Sequence, residues 1–348
     1  MSNTSKKCLD LSKKNHYIEN EYIMAKIIVI CNQKGGVGKT TTAINLSTFL
    51  ALQKKKILLL DLDPQGNTTS GLGVDKTNLQ KTSYDVVMGF VAIDQAIITT
   101  EIQNLSLLPT NIDLIGAEVE LVSEIGREFK LKAALEKTPG DLDYIFIDCP
   151  PSLGLLTLNA LCAASAVLIP LQCEYYALEG LGQLMTTIQM VQKSINRNLQ
   201  IEGIVMTMAD FRTNLTQEVI KEVKEFLPGK VYETIIPRSV KLSEAPSFGK
   251  PIWFHDKHSQ GAIKYKELAI EFLKRNEQIP VSQETSQENE KVSRETKEYS
   301  LPANQDEKPE SSATKESVQR NEVVEYIVSR ETESVFKIPP EGVIKSHN

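Results

Sequence analysis

The stretch Lys34-Gly35-Gly36-Val37-Gly38-Lys39-Thr40-Thr41 constrains this chain more than any other. It follows an apolar run, Ile27 to Cys31, and opens a helical pattern that begins near Thr41. A strand, a glycine-rich loop and a helix in that order are the context a phosphate loop requires. Glycines let backbone N–H groups turn inward around phosphate oxygens, and the helix N-terminus adds its dipole. In that reading Lys39 reaches the β- and γ-phosphates and the Thr40 hydroxyl binds Mg²⁺. A tight glycine turn is the plain alternative, and Gly-Lys-Thr at the head of a helix speaks against it.

The chain repeats the same alternation up to about Gln278. Ile27 to Ile30, Ile57 to Leu60, Tyr144 to Ile147, Val167 to Ile169 and Ile204 to Met206 are continuous apolar runs. Such runs read as strands buried on both faces, as in a parallel sheet. Helical patterns such as Thr41 to Gln53 and Leu178 to Lys193 lie between them. The expected fold is α/β, a doubly wound, mostly parallel sheet. Between Asp148 and Glu174 there is no charged residue, and that length could span a bilayer. Pro150, Pro151, Asn159 and Pro170 interrupt it. A strand end, a turn, a buried helix and a second buried strand fit it better.

The flanks differ in composition. Residues 1–23 are polar, mix Lys with Asp and Glu, and have no apolar run, so they do not read as a secretory signal. Met24 directly precedes the first strand and is either a true start or the end of a poorly ordered extension. Residues 24–278 are expected to form the folded domain. Residues 279–348, dominated by Glu, Ser, Gln, Thr and Lys, cannot bury enough apolar surface to offset chain entropy and are expected to be a disordered acidic tail. The formal net charge of −6 belongs mostly to that tail. Residues 281–348 hold 14 acidic and 9 basic side chains, leaving 31 and 30 for the rest. The acidity therefore says little about an anionic partner for the body. Five cysteines, Cys8, Cys31, Cys149, Cys162 and Cys173, have no close metal spacing, and reduced cytosolic thiols are the simplest reading. His255 and His258 fall in a late loop and carry no catalytic signal of their own.

Two acidic motifs accompany the loop. Asp61-Leu62-Asp63-Pro64-Gln65-Gly66-Asn67 follows the second strand. One carboxylate can face the metal or the phosphates while the other holds the turn. Asp63 is read as the group that orients an attacking water and Asp61 as a metal carboxylate; an ordinary Asp-Pro turn is the alternative. Asp148, after Ile145-Phe146-Ile147, is the expected further carboxylate on the metal side. Gln33 stands where the general loop pattern has glycine, and an extra lysine, Lys34, follows it. That is the deviant phosphate loop, whose early lysine can reach a second nucleotide across a dimer.

Asn32 to Thr42, Asp61 to Asn67, Asp148-Cys149-Pro150-Pro151-Ser152-Leu153-Gly154, Cys173 to Gly180 and Leu242-Ser243-Glu244-Ala245-Pro246 together resemble the ParA chromosome-partitioning ATPases, most closely the Soj branch. The resemblance runs from about Met24 to Gln278. It implies a P-loop NTPase of the deviant Walker A (MinD/ParA) type with ATP and Mg²⁺ as cofactors. It implies a homodimer sandwiching two ATP molecules, in which Lys34 of each subunit contacts the other's phosphates and Glu174 reaches the opposite nucleotide. Residues Gly35, Gly36, Val37, Gly38, Lys39, Thr40 and Thr41 would hold the subunit's own phosphates. Thr40, Asp61 and Asp148 would serve the metal, Asp148 through water, and Asp63 would align the water. Thr207, Met208, Pro237 and Arg238 would frame the adenine. The resemblance further implies slow hydrolysis of ATP to ADP and phosphate, stimulated by a ParB centromere-binding partner, in chromosome or plasmid segregation. Arg212 and Lys241, with Arg238 as neighbour, would bind non-specific DNA through its phosphates in a salt-sensitive way. Plain surface solvation is their alternative, and Lys241, where the family often has Arg, weakens bidentate contact. The implied location is cytoplasmic, on the nucleoid, with no membrane.

Three other function classes weigh less. A membrane-bound MinD-type ATPase needs a terminal basic amphipathic helix, and Glu267 to Gln278 mixes Glu with Lys. A scaffold that binds ATP without needing turnover would tolerate loss of Asp63. An iron–sulfur carrier needs Cys-x-x-Cys, which does not occur. Within the tail, residues 281–285, 292–296 and 328–332 are near-copies of Val-Ser-Arg-Glu-Thr. That pentapeptide can be encoded as GTTTCACGTGAAAC plus one base, a self-complementary string resembling the family's centromere site. The repeats are either partner-binding DNA sites within the gene, with 281–285 a degraded copy, or a simple duplication.

Overall fold

Short runs of β-branched residues and leucine build the centre of the molecule. The computed structural model describes residues 25–138 and 140–277. The extension at 1–23 with Met24, Cys8, and the tail with its repeats lie outside the described residues. In chain order the strands are β1 (Lys26–Ile30), β2 (Ile57–Asp61), β3 (Ile98–Thr99), β4 (Leu105–Leu108), β5 (Tyr144–Asp148), β6 (Ala166–Gln172) and β7 (Gln200–Thr207). They form one sheet in the order β3-β4-β2-β5-β1-β6-β7. Every pairing is parallel except the edge pair β3–β4.

The helices are α1 (Lys39–Leu52), α2 (Asn67–Gly71), α3 (Ser83–Met88), α4 (Leu114–Glu120), α5 (Lys130–Leu135), α6 (Leu155–Ala163), α7 (Ala177–Ser194), α8 (Asn214–Phe226), α9 (Val240–Glu244), α10 (Ile252–His255) and α11 (Gln260–Glu277). Successive strand side chains leave on opposite faces of the sheet. Val29, Leu58, Leu60, Ile145 and Ile147 enter a core shared with α6 and α7. Ile28, Ile30, Leu59, Phe146 and Leu168 enter a second core against α1 and α11. Covering both faces removes any polar alternation from the central strands, which is why they read as unbroken apolar runs. The fold is therefore the doubly wound α/β sheet expected.

The uncharged stretch after Asp148 divides into α6 and β6 with turns between. No helix among the described residues is long and apolar enough to cross a membrane. Cys31, Cys149, Cys162 and Cys173 are buried free thiols that fill space in or beside the cores.

Register decides where chemistry can gather. Ile30 of β1 and Asp61 of β2 both pair with Asp148 of β5. The carboxyl ends of the three central strands thus finish level, and the loops leaving them meet in one crevice, where open α/β sheets bind ligands.

Candidate active site

The loop from β1 into α1 is anchored at both ends. The Asn32 side chain accepts from the Lys34 N–H at 3.0 Å and donates to the Pro170 carbonyl at 2.8 Å. At the far end Gly38 takes φ 89° as the N-cap of α1, with no side chain capping the helix and no acidic residue in its first turn. The first N–H groups of α1 are thus left for an anion. Gly36 is also left-handed, at φ 73°, and a Cβ at Gly35 or Gly36 would meet nothing within 4 Å. The loop is open toward its ligand side and backed by Val37, whose carbonyl accepts from the Thr207 hydroxyl at 2.8 Å.

Lys39 is 6% exposed, and its Nζ donates to the Lys34 carbonyl at 3.1 Å. Burial holds this ammonium below the ordinary lysine range, and the Asp148 carboxylate opposes that shift. The Thr40 hydroxyl donates to Asp148 Oδ2 at 2.8 Å, and the Thr68 hydroxyl donates to the same oxygen at 2.7 Å. Asp148 Oδ1 is buried and has no hydrogen-bond partner among the described residues. Burial pushes the Asp148 carboxyl up to about 6, against the two threonine hydrogen bonds that lower it.

Asp61 is arranged differently. Its Oδ2 accepts from the N–H and the hydroxyl of Thr69 at 2.8 and 2.7 Å, and its Oδ1 accepts from the Asp63 N–H at 3.3 Å. Burial, then the neighbouring Asp148 charge, push Asp61 up to about 8. Both of its oxygens are engaged in holding α2 and the turn. This bonding shows Asp61 holding α2 and the turn; its expected service to the metal stands beside that as a proposal. Asp63 lies beyond the strand end, 8% exposed, with Oδ1 accepting from the Gln65 N–H at 3.0 Å.

Beside the loop lies a cleft of about 300 Å³ lined by Gly38, Thr41, Thr207, Met208, Pro237 and Arg238, with Leu242 and Tyr265 among its other walls. Met208 holds φ 51°, and the chain after it pairs with the next crossing, Arg238 N–H donating to the Ala209 carbonyl at 3.1 Å. Tyr265, from α11, shares a 3.1 Å hydrogen bond with Thr42 of α1.

The remaining expected residues sit outside this cleft. Lys34 is half exposed and forms an ion pair with Glu174, which also accepts from the Gln172 amide. Arg212 is exposed and forks onto Asp210, Nε to Oδ1 at 2.8 Å and an Nη to Oδ2 at 2.5 Å. Those hydrogen bonds hold the Asp210 carboxyl down at about 2. Lys241 lies 3.0 Å from Glu244. His255 stacks on Phe248, and its Nε2 is 3.7 Å from Glu244.

Thr68, Thr69 and Tyr265 were not among the expected residues, and Leu242 was noted only as part of a motif, with no role in the cleft. The two threonines directly follow the acidic motif, and an N-terminal turn rich in hydroxyls was the only signal. Tyr265 had none, because it arrives from more than 200 residues away.

The donor set fits a magnesium nucleotide. It offers an uncapped helix start, an open glycine loop, a buried lysine, a hydroxyl beside an unpartnered buried carboxylate oxygen, and a cleft of sufficient size for a base.

Comparison with known proteins agrees with that chemistry. A family model described as an AAA domain matches residues 25–201. The chain is 56% identical over 248 residues to the sporulation initiation inhibitor protein Soj of Bacillus subtilis, covering 71% of this chain and 98% of that protein. It is 52% identical over 253 residues to the chromosome partitioning protein ParA of Myxococcus xanthus, covering 73% and 89%. Among solved structures it resembles a cobyrinic acid a,c-diamide synthase from Mycobacterium smegmatis with bound ADP and magnesium, at 40% identity and a TM-score of 0.65, covering 73% of this chain and 96% of that one.

Proposed function

This chain belongs to the Soj/ParA family of chromosome-partitioning ATPases, and on that premise we propose that it is an ATP-switched dimer that binds non-specific DNA and segregates a replicon with a ParB-type partner. The observation that carries the reading is the convergence of Thr40 and Thr68 on one oxygen of Asp148 below the uncapped start of α1. The higher identity of Soj and ParA, and the near-complete cover of Soj, weigh for partitioning over the synthase named for the mycobacterial structure.

In this reading the N–H groups of residues 35–41 and the Lys39 ammonium bind the phosphates of ATP. Thr40 and Asp148 would hold magnesium, which when bound neutralises charge on the phosphate oxygens. Thr68 orients Asp148. Asp61 sets the turn that carries Asp63, and Asp63 orients the water that attacks the terminal phosphate. Thr207, Met208, Pro237 and Arg238 frame the base.

Lys34 acts on the nucleotide of a second subunit, where a cation placed against developing negative charge favours the transition state. Glu174 reaches the same opposite nucleotide. The pair they form within one subunit is then the resting arrangement that docking exchanges. Arg212, Arg238 and Lys241 supply phosphate contacts to DNA on the dimer, so a near-neutral body can still bind a polyanion.

An Asp63→Ala protein tests the proposal. It is expected to form dimers with ATP and to stay on DNA, because release requires hydrolysis. Dimers that leave DNA at the unmodified protein's rate would sink the assignment of Asp63.

A further inference from the structure

Helix α2 is held by close contact on two sides. On one side, a Cβ at Gly71 would stand 2.5 Å from Ile44 Cδ1 of α1. On the other, the chain just past α2 meets a segment from far along the sequence, Gly73 against Gly249. A Cβ at Gly249 would lie 2.8 Å from Gly73 Cα and 3.4 Å from the Ser70 carbonyl oxygen, and one at Gly73 would lie 3.1 Å from the Gly249 carbonyl oxygen. Both glycines are left-handed, at φ 80° and φ 61°. Two backbones approach here more closely than a side chain on either would allow.

The two segments lead to different parts of the site. Gly249 ends the short turn Ala245–Phe248, which follows α9 directly. Leu242 and Ser243 of α9 and Pro246 of the turn line the cleft beside the phosphate loop. The chain after Gly249 is tied to α1, where Asn45 Oδ1 accepts from the Ile252 N–H at 2.8 Å. On the other side of the contact, Thr68 and Thr69 of α2 donate to Asp148 and Asp61. Gly66, the N-cap of α2, donates its N–H to the Asp63 carbonyl at 2.8 Å. A wall of the cleft and the helix next to Asp63 therefore share one backbone contact.

We propose that Gly73 and Gly249 are positioning residues, through which an adenine base in the cleft sets the place of Asp63. The proposal rests on the reading that the cleft takes the base and that Asp63 orients the water. A base against Leu242 and Pro246 fixes residues 242–249. That segment fixes the backbone at Gly73, and α2 is held where Thr68 and Thr69 meet the two strand-end carboxylates. Close-packed contacts pass on such a constraint because they have no free volume to absorb it. A phosphate chain without a base would fill the loop and leave α2 without this support.

Hydrogen exchange on the full chain tests the route, with ADP and inorganic pyrophosphate as probes. Both are expected to protect the amides of residues 35–41. Only ADP should also slow exchange across residues 67–74, about fivefold or more relative to pyrophosphate. The reporters are the Leu72, Gly73 and Val74 N–H groups, which donate to the Thr68, Ser70 and Thr69 carbonyls. Equal protection of residues 67–74 by both probes, or by neither, overturns the proposal while leaving the nucleotide site standing. ADP that protects neither the loop nor the cleft sinks the nucleotide site itself, and this proposal with it.

In Gly249→Ala, ADP should still protect the loop and no longer residues 67–74. Its kcat for ATP should fall about 10- to 100-fold with KM little changed. Gly229→Ala is the control. Gly229 is also left-handed, at φ 73°, and a Cβ there would meet nothing within 4 Å, so this protein should turn over ATP as the unmodified one does. A Gly249→Ala protein with undiminished kcat, or one in which ADP still slows exchange at 67–74, overturns the proposal. Should that variant not fold, the comparison of ADP with pyrophosphate on the unmodified protein decides.

Discussion

Asp61 and Asp148 stand opposite one another at the ends of adjacent parallel strands, both fully buried, and only Asp148 keeps an oxygen without a partner. Two acids of the same type are thereby given different work by their neighbours. Thr69 and the Asp63 N–H engage both oxygens of Asp61, while Thr40 and Thr68 share one oxygen of Asp148.

This pair predicts how stability of the nucleotide-free protein depends on pH. Both carboxyls are pushed above their ordinary range, so the folded state binds more protons than the unfolded one. Their contribution is fully present below about pH 4 and is lost as pH rises toward about 8. Thermal melts are expected to show a falling midpoint across that window. Asp61→Asn should flatten the fall and raise the midpoint most at the alkaline end. A variant that melts with the same slope as the unmodified protein rules out Asp61 as the titrating group.

Thr68→Val keeps shape and removes one donor to Asp148. Groups that orient a metal ligand typically contribute about 10- to 100-fold in metal affinity or activity. Magnesium titration of ATP turnover should show the apparent requirement rising by about tenfold, with ATP binding measured without metal unchanged. A merely structural role would leave the magnesium requirement where it was.

The two loop lysines should separate cleanly. Lys39→Ala is expected to abolish ATP binding in calorimetry, because its ammonium is buried beneath the loop. Lys34→Ala should bind ATP and fail to dimerise in sedimentation, since its side chain is directed away from its own loop to Glu174. A Lys34→Ala protein that still dimerises on ATP refutes the action in trans.

Gly36 and Gly38 both adopt left-handed backbone, where an L side chain costs about 1–2 kcal/mol. Gly36→Ala should lower stability by about that amount in chemical denaturation and also weaken ATP binding, because its Cβ would stand in the open mouth of the loop. Stability and affinity both unchanged would mean that the loop rearranges freely.

Arg212→Glu is expected to remove DNA binding while ATP-dependent dimers still form. Arg212→Ala should reduce the slope of log affinity against log salt by about 1 for each DNA phosphate it neutralises. An unaltered slope would return Arg212 to ordinary surface solvation.

The parts that could be read in the sequence are those whose signal is local. The phosphate loop, Asp61, Asp63 and Asp148 each lie directly after an apolar run, so strand, turn and chemistry come in one short window. Residues that reach the site by tertiary packing left no such trace. Thr68 and Thr69 act because α2 folds back over the ends of β5 and β2. Tyr265 meets Thr42 only because α11 packs on α1. Strand β4 went unread because Ser106 interrupts a run of only four residues, and β3 is two residues long. The pairing of Lys34 with Glu174 joins positions far apart in sequence, and no spacing rule could anticipate it.

The Thr207 hydroxyl on the Val37 carbonyl ties the wall of the base cleft to the phosphate loop. The cleft that would take the base and the loop that would take the phosphates are therefore held as one unit. Under the proposed dimer, Lys34, the cation turned outward at the rim, would add a contact to the partner's nucleotide that a lone subunit lacks.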